Sequence, residues 1–197
     1  MEARATHLWM TATDPEGKAE AEFALVLQRA IAGDASAFEQ IIIRYERRVL
    51  TLAWRLLASA EDAQDAAQEV FLRAFRFLHR FDTRRPFEPW LVRMTVNVCR
   101  DFGRKRQRQP NALIDTNALP AKSDPHADFH SEEQRQILYT ALQHLPEKER
   151  AAVVLRDIEG LSTAEVAEIL GSSEATVRSQ ISNARLKIKK AVKRGRT

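Results

Sequence analysis

Cysteine is nearly absent from this chain: Cys99 is the only one in 197 residues. That excludes an internal disulfide and any cysteine-based metal cluster. Glycine and proline are also scarce, at 6 and 7, and no Gly-rich phosphate loop can be assembled from them. Long runs of Val, Ile and Thr are missing, which argues against strands. No stretch approaches the ~20 apolar residues that a membrane-spanning helix needs, so no membrane insertion is expected. The N-terminal MEARATHLWMTATDPEGK lacks a continuous apolar centre and carries Asp14, Pro15 and Glu16. It is not a secretory signal, and a cytoplasmic protein is expected. No paired carboxylates on a cleft helix and no nucleophile–base pair stand out, so no catalytic residues and no cofactor are assigned and an enzyme is not expected. Asp124, His126, Asp128 and His130 have metal-ligand chemistry. They lie in a proline-broken stretch without a rigid scaffold, and no metal site is assigned to them.

What remains is helical material. Apolar residues make up 44% of the chain, and Ala, Leu, Arg, Glu and Gln abound. The expected fold is all-α, with two small helical domains joined by a flexible linker. The net charge of +4 is unevenly spread. Residues 93–108 hold six basic residues against Asp101, and residues 174–197 hold eight against Glu174. Two concentrated cationic segments on an otherwise acidic body point to two contacts with a polyanion.

Taken in order, residues 1–19 read as an N-terminal tail. A helix begins near Glu20 and stops at Gly33. Asp34 or Ser36 caps the next, whose apolar face runs from Phe38 through Ile41, Tyr45, Val49 and Leu52 to Leu56. Ser59 precedes Asp62 by three, an N-cap pattern opening EDAQDAAQEVFLRAFRFL. Ala63, Ala66, Ala67, Val70, Phe71, Ala74 and Leu78 form its core face. Asp62, Asp65, Glu69 and Leu72 share the opposite side, where Leu72 is out of place. By pattern alone that acidic side is a solubilising surface. FDTRR makes a loop from Phe81 to Arg85, and Pro86 suits the first turn of a fourth helix. Residues 20–106 thus form one bundle, residues 107–130 a linker broken by Pro110, Pro120 and Pro125, and residues 131–197 a second unit. In the second unit, Ser131 with Gln134 and Ser162 with Glu165 are capping-box patterns, and EKERAAVVLRDI reads as one helix up to Gly160.

Two helices carry the functional signal. On PFEPWLVRMTVNVCRDFGRKRQR, residues Phe87, Leu91, Met94, Val98 and Phe102 form the expected buried stripe. Arg93, Asn97, Arg100 and Arg104 line another face at steps of four, three and four. A cationic ridge suits a phosphate backbone, and an asparagine can pair with a base edge. From Ser162 to Lys190 the spacing is that of a helix-turn-helix: small Ala167 at the crossing, Gly171 at the turn, Val177 and Ile181 pinning the second helix. Its outward residues are Arg178, Ser179, Ser182, Asn183, Arg185 and Lys189.

Three stretches together resemble the extracytoplasmic-function sigma factors of bacterial RNA polymerase. EDAQDAAQEVFLRAF resembles their region 2.2, FEPWLVRMTVNVCRDFGRKR regions 2.3 and 2.4, and LPEKERAAVVLRDIEGLSTAEVAEILGSSEATVRSQISNARLKI region 4. The resemblance covers residues 22–106 and 131–190. It implies a transcription initiation factor that binds core RNA polymerase, through the β′ clamp helices and the β subunit, and promoter DNA. It implies that Asp62, Asp65, Glu69 and Leu72 dock on the β′ clamp helices, reversing the solubility reading. It implies that Arg93, Asn97, Arg100, Arg104 and the loop at 81–87 meet the non-template strand of the −10 element, with one base extruded. It implies that Arg178, Ser179, Ser182, Asn183, Arg185 and Lys189 meet the −35 duplex, and that the linker threads the polymerase cleft. An anti-sigma factor is a further partner that such a protein can have. Gln180, Ser182 and Asn183 depart from the family's usual basic and bulky residues, so no known −35 sequence carries over. The tail is longer than usual, and no appended sensory domain is expected after region 4. The competing reading is a stand-alone helix-turn-helix regulator. It explains residues 162–190 but leaves the acidic face and the cationic ridge idle.

Overall fold

The computed structural model describes residues 15–107 and 132–194. All regular structure among them is helical. Helix α1 spans Pro15–Ile31, α2 Ala35–Leu57, α3 Ala60–Phe77 and α4 Phe87–Gln107. A single 3-10 turn, Leu78–Arg80, follows α3. The second unit holds α5 (Glu132–Gln143), α6 (Glu147–Val153), α7 (Thr163–Leu170) and α8 (Glu174–Arg194).

Local chemistry accounts for most helix ends. Asp34, not Ser36, caps α2: its side chain accepts from the backbone N–H groups of Ser36 and Ala37 at 2.9 and 3.1 Å. Arg29 donates to the same carboxylate at 2.6 Å, and together these bonds hold the Asp34 carboxyl below its usual range, Arg29 being the larger cause. The Ser59 hydroxyl caps α3 by accepting from Asp62 N–H at 3.2 Å. Ser162 and Glu165 close a reciprocal capping box on α7, at 3.2 Å in one direction and 2.8 Å in the other. Gly171 ends α7 at φ 61°, the left-handed angle the turn demands.

Three boundaries differ from expectation. The first helix starts at Pro15, so residues 15–19 belong to it and not to a tail; proline's fixed φ suits a first helical position. Gln107 belongs to α4. The rest of the expected linker, with Ser131 and the Asp124–His130 cluster, lies outside the described residues, as do residues 1–14. The helix expected to run unbroken to Gly160 switches at Val154 to a π turn ending at Ile158. Glu159 N–H there reaches back to the Val154 carbonyl at 3.0 Å. Residues Ala151 to Leu155 are all buried, and the slower winding of a π turn re-aims Glu159 toward α2.

The buried arc of α4 is wider than one stripe. Phe87, Leu91 and Val98 are buried as expected, but Met94 and Phe102 are only half-buried, while Val92, Thr95, Val96 and Cys99 are fully inside. The cause is packing on two sides, since α4 touches both α2 and α3. The Thr95 hydroxyl, with no exposure, donates to the Leu91 carbonyl at 2.8 Å, so its burial leaves no polar group unsatisfied. An aromatic cluster of Phe23, Tyr45, Phe81, Phe87 and Trp90, with ring centroids 5.3 to 5.6 Å apart, anchors the loop before α4.

Burial pushes the Cys99 thiol up to about 12. The thiolate is the reactive species. Native protein is therefore expected to leave a disulfide reagent such as DTNB unreacted at pH 8, and to react once unfolded in guanidinium. Full reaction of the native protein on mixing would show that α4 does not sit where described.

Candidate functional site

The acidic side of α3 faces outward. Asp65 is exposed, and Leu72 is 62% exposed despite being apolar. Asp62 and Glu69 are half-buried. Glu69 accepts from Arg73 at 2.6 Å, and Arg73 also donates to Asp101 of α4 at 3.0 Å. The third member of the predicted set is thus tied into an ion-pair chain that joins α3 to α4. Beside Leu72 a groove of about 640 Å³ runs between α2 and α3, lined by Phe38, Ile42, Leu50, Phe71 and Phe75 among others. Phe75 is 54% exposed and meets Phe38 edge-on at 5.0 Å. Sequence reasoning missed this groove. Its signal was Phe75, an aromatic outside the core stripe of α3.

On α4, Arg93, Asn97 and Arg104 are exposed and Arg100 is half-buried. The firm docking of the helix fixes the ridge's direction. Two of its cations are engaged by the second unit. Arg93 donates to Glu168 at 2.8 Å, and Arg100 to the backbone carbonyl of Ile169 at 3.0 Å; both partners lie at the C-terminal end of α7. Arg104 has Asp101 at 3.9 Å. In the preceding loop Arg84 forks onto Asp82 at 2.8 and 2.9 Å, and these bonds hold the Asp82 carboxyl below its usual range.

The helix-turn-helix is present as α7 and α8. Val177, Ile181 and Ala184 are buried, holding α8 down, while Ile188 is half-buried. Arg178, Ser179, Ser182, Asn183, Arg185 and Lys189 are all exposed. Arg178, Ser182, Arg185 and Lys189 gather in one shallow recess of about 380 Å³, which Arg156, Thr163 and Leu186 also line. Ser179 and Asn183 lie outside it. Arg185 is doubly held by Asp157, at 2.6 and 2.8 Å, whereas Arg178 keeps only Glu174 at 3.1 Å on its own helix. The three added residues were missed because Arg156 and Thr163 precede the recognition helix. Leu186, 56% exposed on a helix with a clear apolar stripe, was the legible one. Among the described residues no cluster of His, Cys, Asp and Glu could hold a metal ion, and no helix is long and apolar enough to cross a membrane.

Known proteins resemble this chain in both units. The family pattern described as Sigma-70 region 2 matches residues 41–109, and that described as Sigma-70, region 4 matches residues 135–188. The ECF RNA polymerase sigma-E factor of Escherichia coli is 34% identical over 171 residues, covering 82% of this chain and 89% of that protein. The RNA polymerase sigma-H factor of Pseudomonas aeruginosa is 32% identical over 177 residues, covering 85% and 92%. Among solved structures, CnrH in complex with the cytosolic domain of CnrY superposes with a TM-score of 0.59 at 26% identity, covering 86% of this chain and 96% of that one. The sigma factor RpoE of Bartonella quintana, solved with the anti-sigma factor NepR, shares the fold with a TM-score of 0.62 at 22% identity, covering 79% and 96%. A stand-alone helix-turn-helix regulator leaves the region 2 match without a counterpart. With both regions in order and relatives aligned over most of its length, the chain belongs to the extracytoplasmic-function sigma factors, the proteins that direct bacterial RNA polymerase to promoters.

Proposed function

We propose a division of labour among three surfaces. The outward side of α3, with Asp62, Asp65, Glu69 and Leu72, docks on the β′ clamp helices, and the neighbouring groove with Phe75 extends that contact. The α4 ridge follows the phosphates of the non-template −10 strand through Arg93, Arg100 and Arg104, and Asn97 pairs with a base drawn out of the stack. The exposed arc of α8 enters the major groove of the −35 duplex. Arg178 and its neighbours face the bases, and Lys189 contacts a phosphate. The first unit, α1 to α4, and the second, α5 to α8, are assigned these roles, with the chain between them as the linker between the two DNA contacts. RNA synthesis belongs to the polymerase, and the protein contributes binding and strand capture in the cytoplasm. The sigma factor RpoE of Bartonella quintana was solved in complex with the anti-sigma factor NepR, and an anti-sigma factor is proposed as a regulator here.

The observation that carries this reading is the ridge. Three arginines and Asn97 stand in line on a helix whose opposite arc is locked into a core. A merely solvated face needs neither that alignment nor an asparagine among the cations. The direct test adds the protein to core polymerase with a library of promoter fragments. Transcripts starting at defined sites are expected; none, from folded protein that binds core, overturns the reading.

The −35 contact divides into base and phosphate parts. Arg178→Ala is expected to cost about 1–3 kcal/mol at one base pair and to relax preference there. Lys189→Ala is expected to weaken all duplexes alike and to flatten the salt dependence of binding. Binding selections on randomised −35 duplexes separate the two. Uniform loss in both variants would make Arg178 a phosphate contact only.

A further inference from the structure

Asp101 is the only carboxylate between Arg93 and Arg108, and it stands among the cations of α4. A face that binds phosphate gains nothing from a negative charge in its midst. Three positions on is Arg104, 62% exposed, whose Nη1 lies 3.9 Å from Asp101 Oδ1. At that distance the two make an ion contact without a hydrogen bond. The other oxygen, Oδ2, accepts from Nη1 of Arg73 on α3 at 3.0 Å. The same guanidinium donates through Nε to Glu69 at 2.6 Å. Its planar fork serves carboxylates on two helices at once, which a lysine ammonium does less well.

The pair is poorly suited to be a brace between α3 and α4. The side chains of Arg73 and Asp101 are 32% and 42% exposed, and ion pairs open to solvent add little stability. Apolar packing already fixes the two helices, with Val70 of α3 and Leu91 and Val98 of α4 fully inside. What the pair does change is the charge at the ridge. A recess of about 400 Å³ beside it, lined by Glu69, Arg73, Asp101, Phe102, Arg104 and Lys105, gives the Asp101 side chain room to turn. Without Arg73, its carboxylate would close on Arg104, its (i, i+3) neighbour, and repel an approaching phosphate.

We propose that Arg73, although it lies on α3, is a positioning residue for the −10 contact: it holds and neutralises Asp101 and so keeps Arg104 available to a phosphate of the non-template strand. The inference rests on the proposed −10 role of α4 and adds a residue outside the ridge on which that role depends.

The test uses holoenzyme and a promoter fragment, taken from the library selection, that is pre-melted across the −10 element. Affinity is measured over a range of salt concentrations, and core binding and thermal melting are followed alongside. Arg73→Gln is expected to weaken binding roughly five-fold and to flatten the salt dependence by about 0.7 in the log–log slope, the loss of one phosphate contact on a single strand. Asp101→Asn alone is expected to bind at least as tightly as the unaltered protein. Adding Asp101→Asn to Arg73→Gln is expected to restore both affinity and slope, because no carboxylate is left to capture Arg104. A brace behaves differently: each single variant breaks it, and the second change cannot mend it. Full affinity of Arg73→Gln, a loss in Asp101→Asn equal to that in Arg73→Gln, or a double variant as weak as Arg73→Gln each overturns the inference. Unchanged affinity of an Arg93→Ala, Arg100→Ala, Arg104→Ala holoenzyme would instead remove the −10 reading on which the inference rests.

Discussion

Asn97→Ala is expected to block promoter opening while leaving polymerase binding and −35 duplex binding intact. Asn97 is exposed on α4 between Arg93 and Arg100, and the arginines suffice for a backbone. The asparagine adds a donor and an acceptor that can pair with a base edge. Extruding a base from a duplex costs a few kcal/mol, and far less from a strand already open. A site that captures the extruded base therefore draws the −10 element toward the melted form. Losing one good pairing, about 1–3 kcal/mol, is expected to lower the open-complex population by roughly five- to 150-fold. Folding is not at stake, since the side chain contributes nothing to the core. A pre-melted bubble across the −10 element is expected to restore much of the lost initiation. Permanganate footprinting of promoter thymines decides the matter: normal reactivity with the variant holoenzyme rules out a role for Asn97 in melting.

Reversing the outward side of α3 is expected to separate the protein from core polymerase. The residues to change are Asp65 and Leu72. Both are exposed, so Asp65→Arg with Leu72→Glu leaves packing untouched. Glu69 is a poorer choice, because an arginine there would face Arg73, which now bridges Glu69 and Asp101. Leu72 borders a groove that contains the aromatic Phe75, and losing a residue at the packed centre of an interface costs about 2–4 kcal/mol. The double variant is expected to lose core binding by at least about a hundred-fold. Its melting temperature is expected to match that of the unaltered protein. Co-purification with core polymerase at full yield would show that docking uses another face.

How much of this was legible beforehand differs from element to element. Residues that act within a few positions of one another were read directly. Ser162 and Glu165 make their capping box, Gly171 takes its left-handed turn, and Val177 and Ile181 turn inward. The exposure of Leu72 and of the α8 polar residues followed from the same helical period. These are local properties, because capping and the 3.6-residue period are settled by neighbours in the chain.

Other features arose only when helices met. Met94 and Phe102 lie at the margin of the core, and Thr95 inside it, because α4 is gripped by both α2 and α3. The period gives the face of one helix but not how many neighbours cover it. The groove under Phe75 needs α2 beside α3 to exist. Glu168 and Arg93 are 75 residues apart, and Glu159 and Arg55 are 104. Nothing in either segment alone pairs them. The sequence by itself determined the helices, their caps and the charges they carry outward. Which cation faces which carboxylate was decided by the tertiary packing. Coulombic pairing depends on distance in space and on burial, and neither is written in local order along the chain.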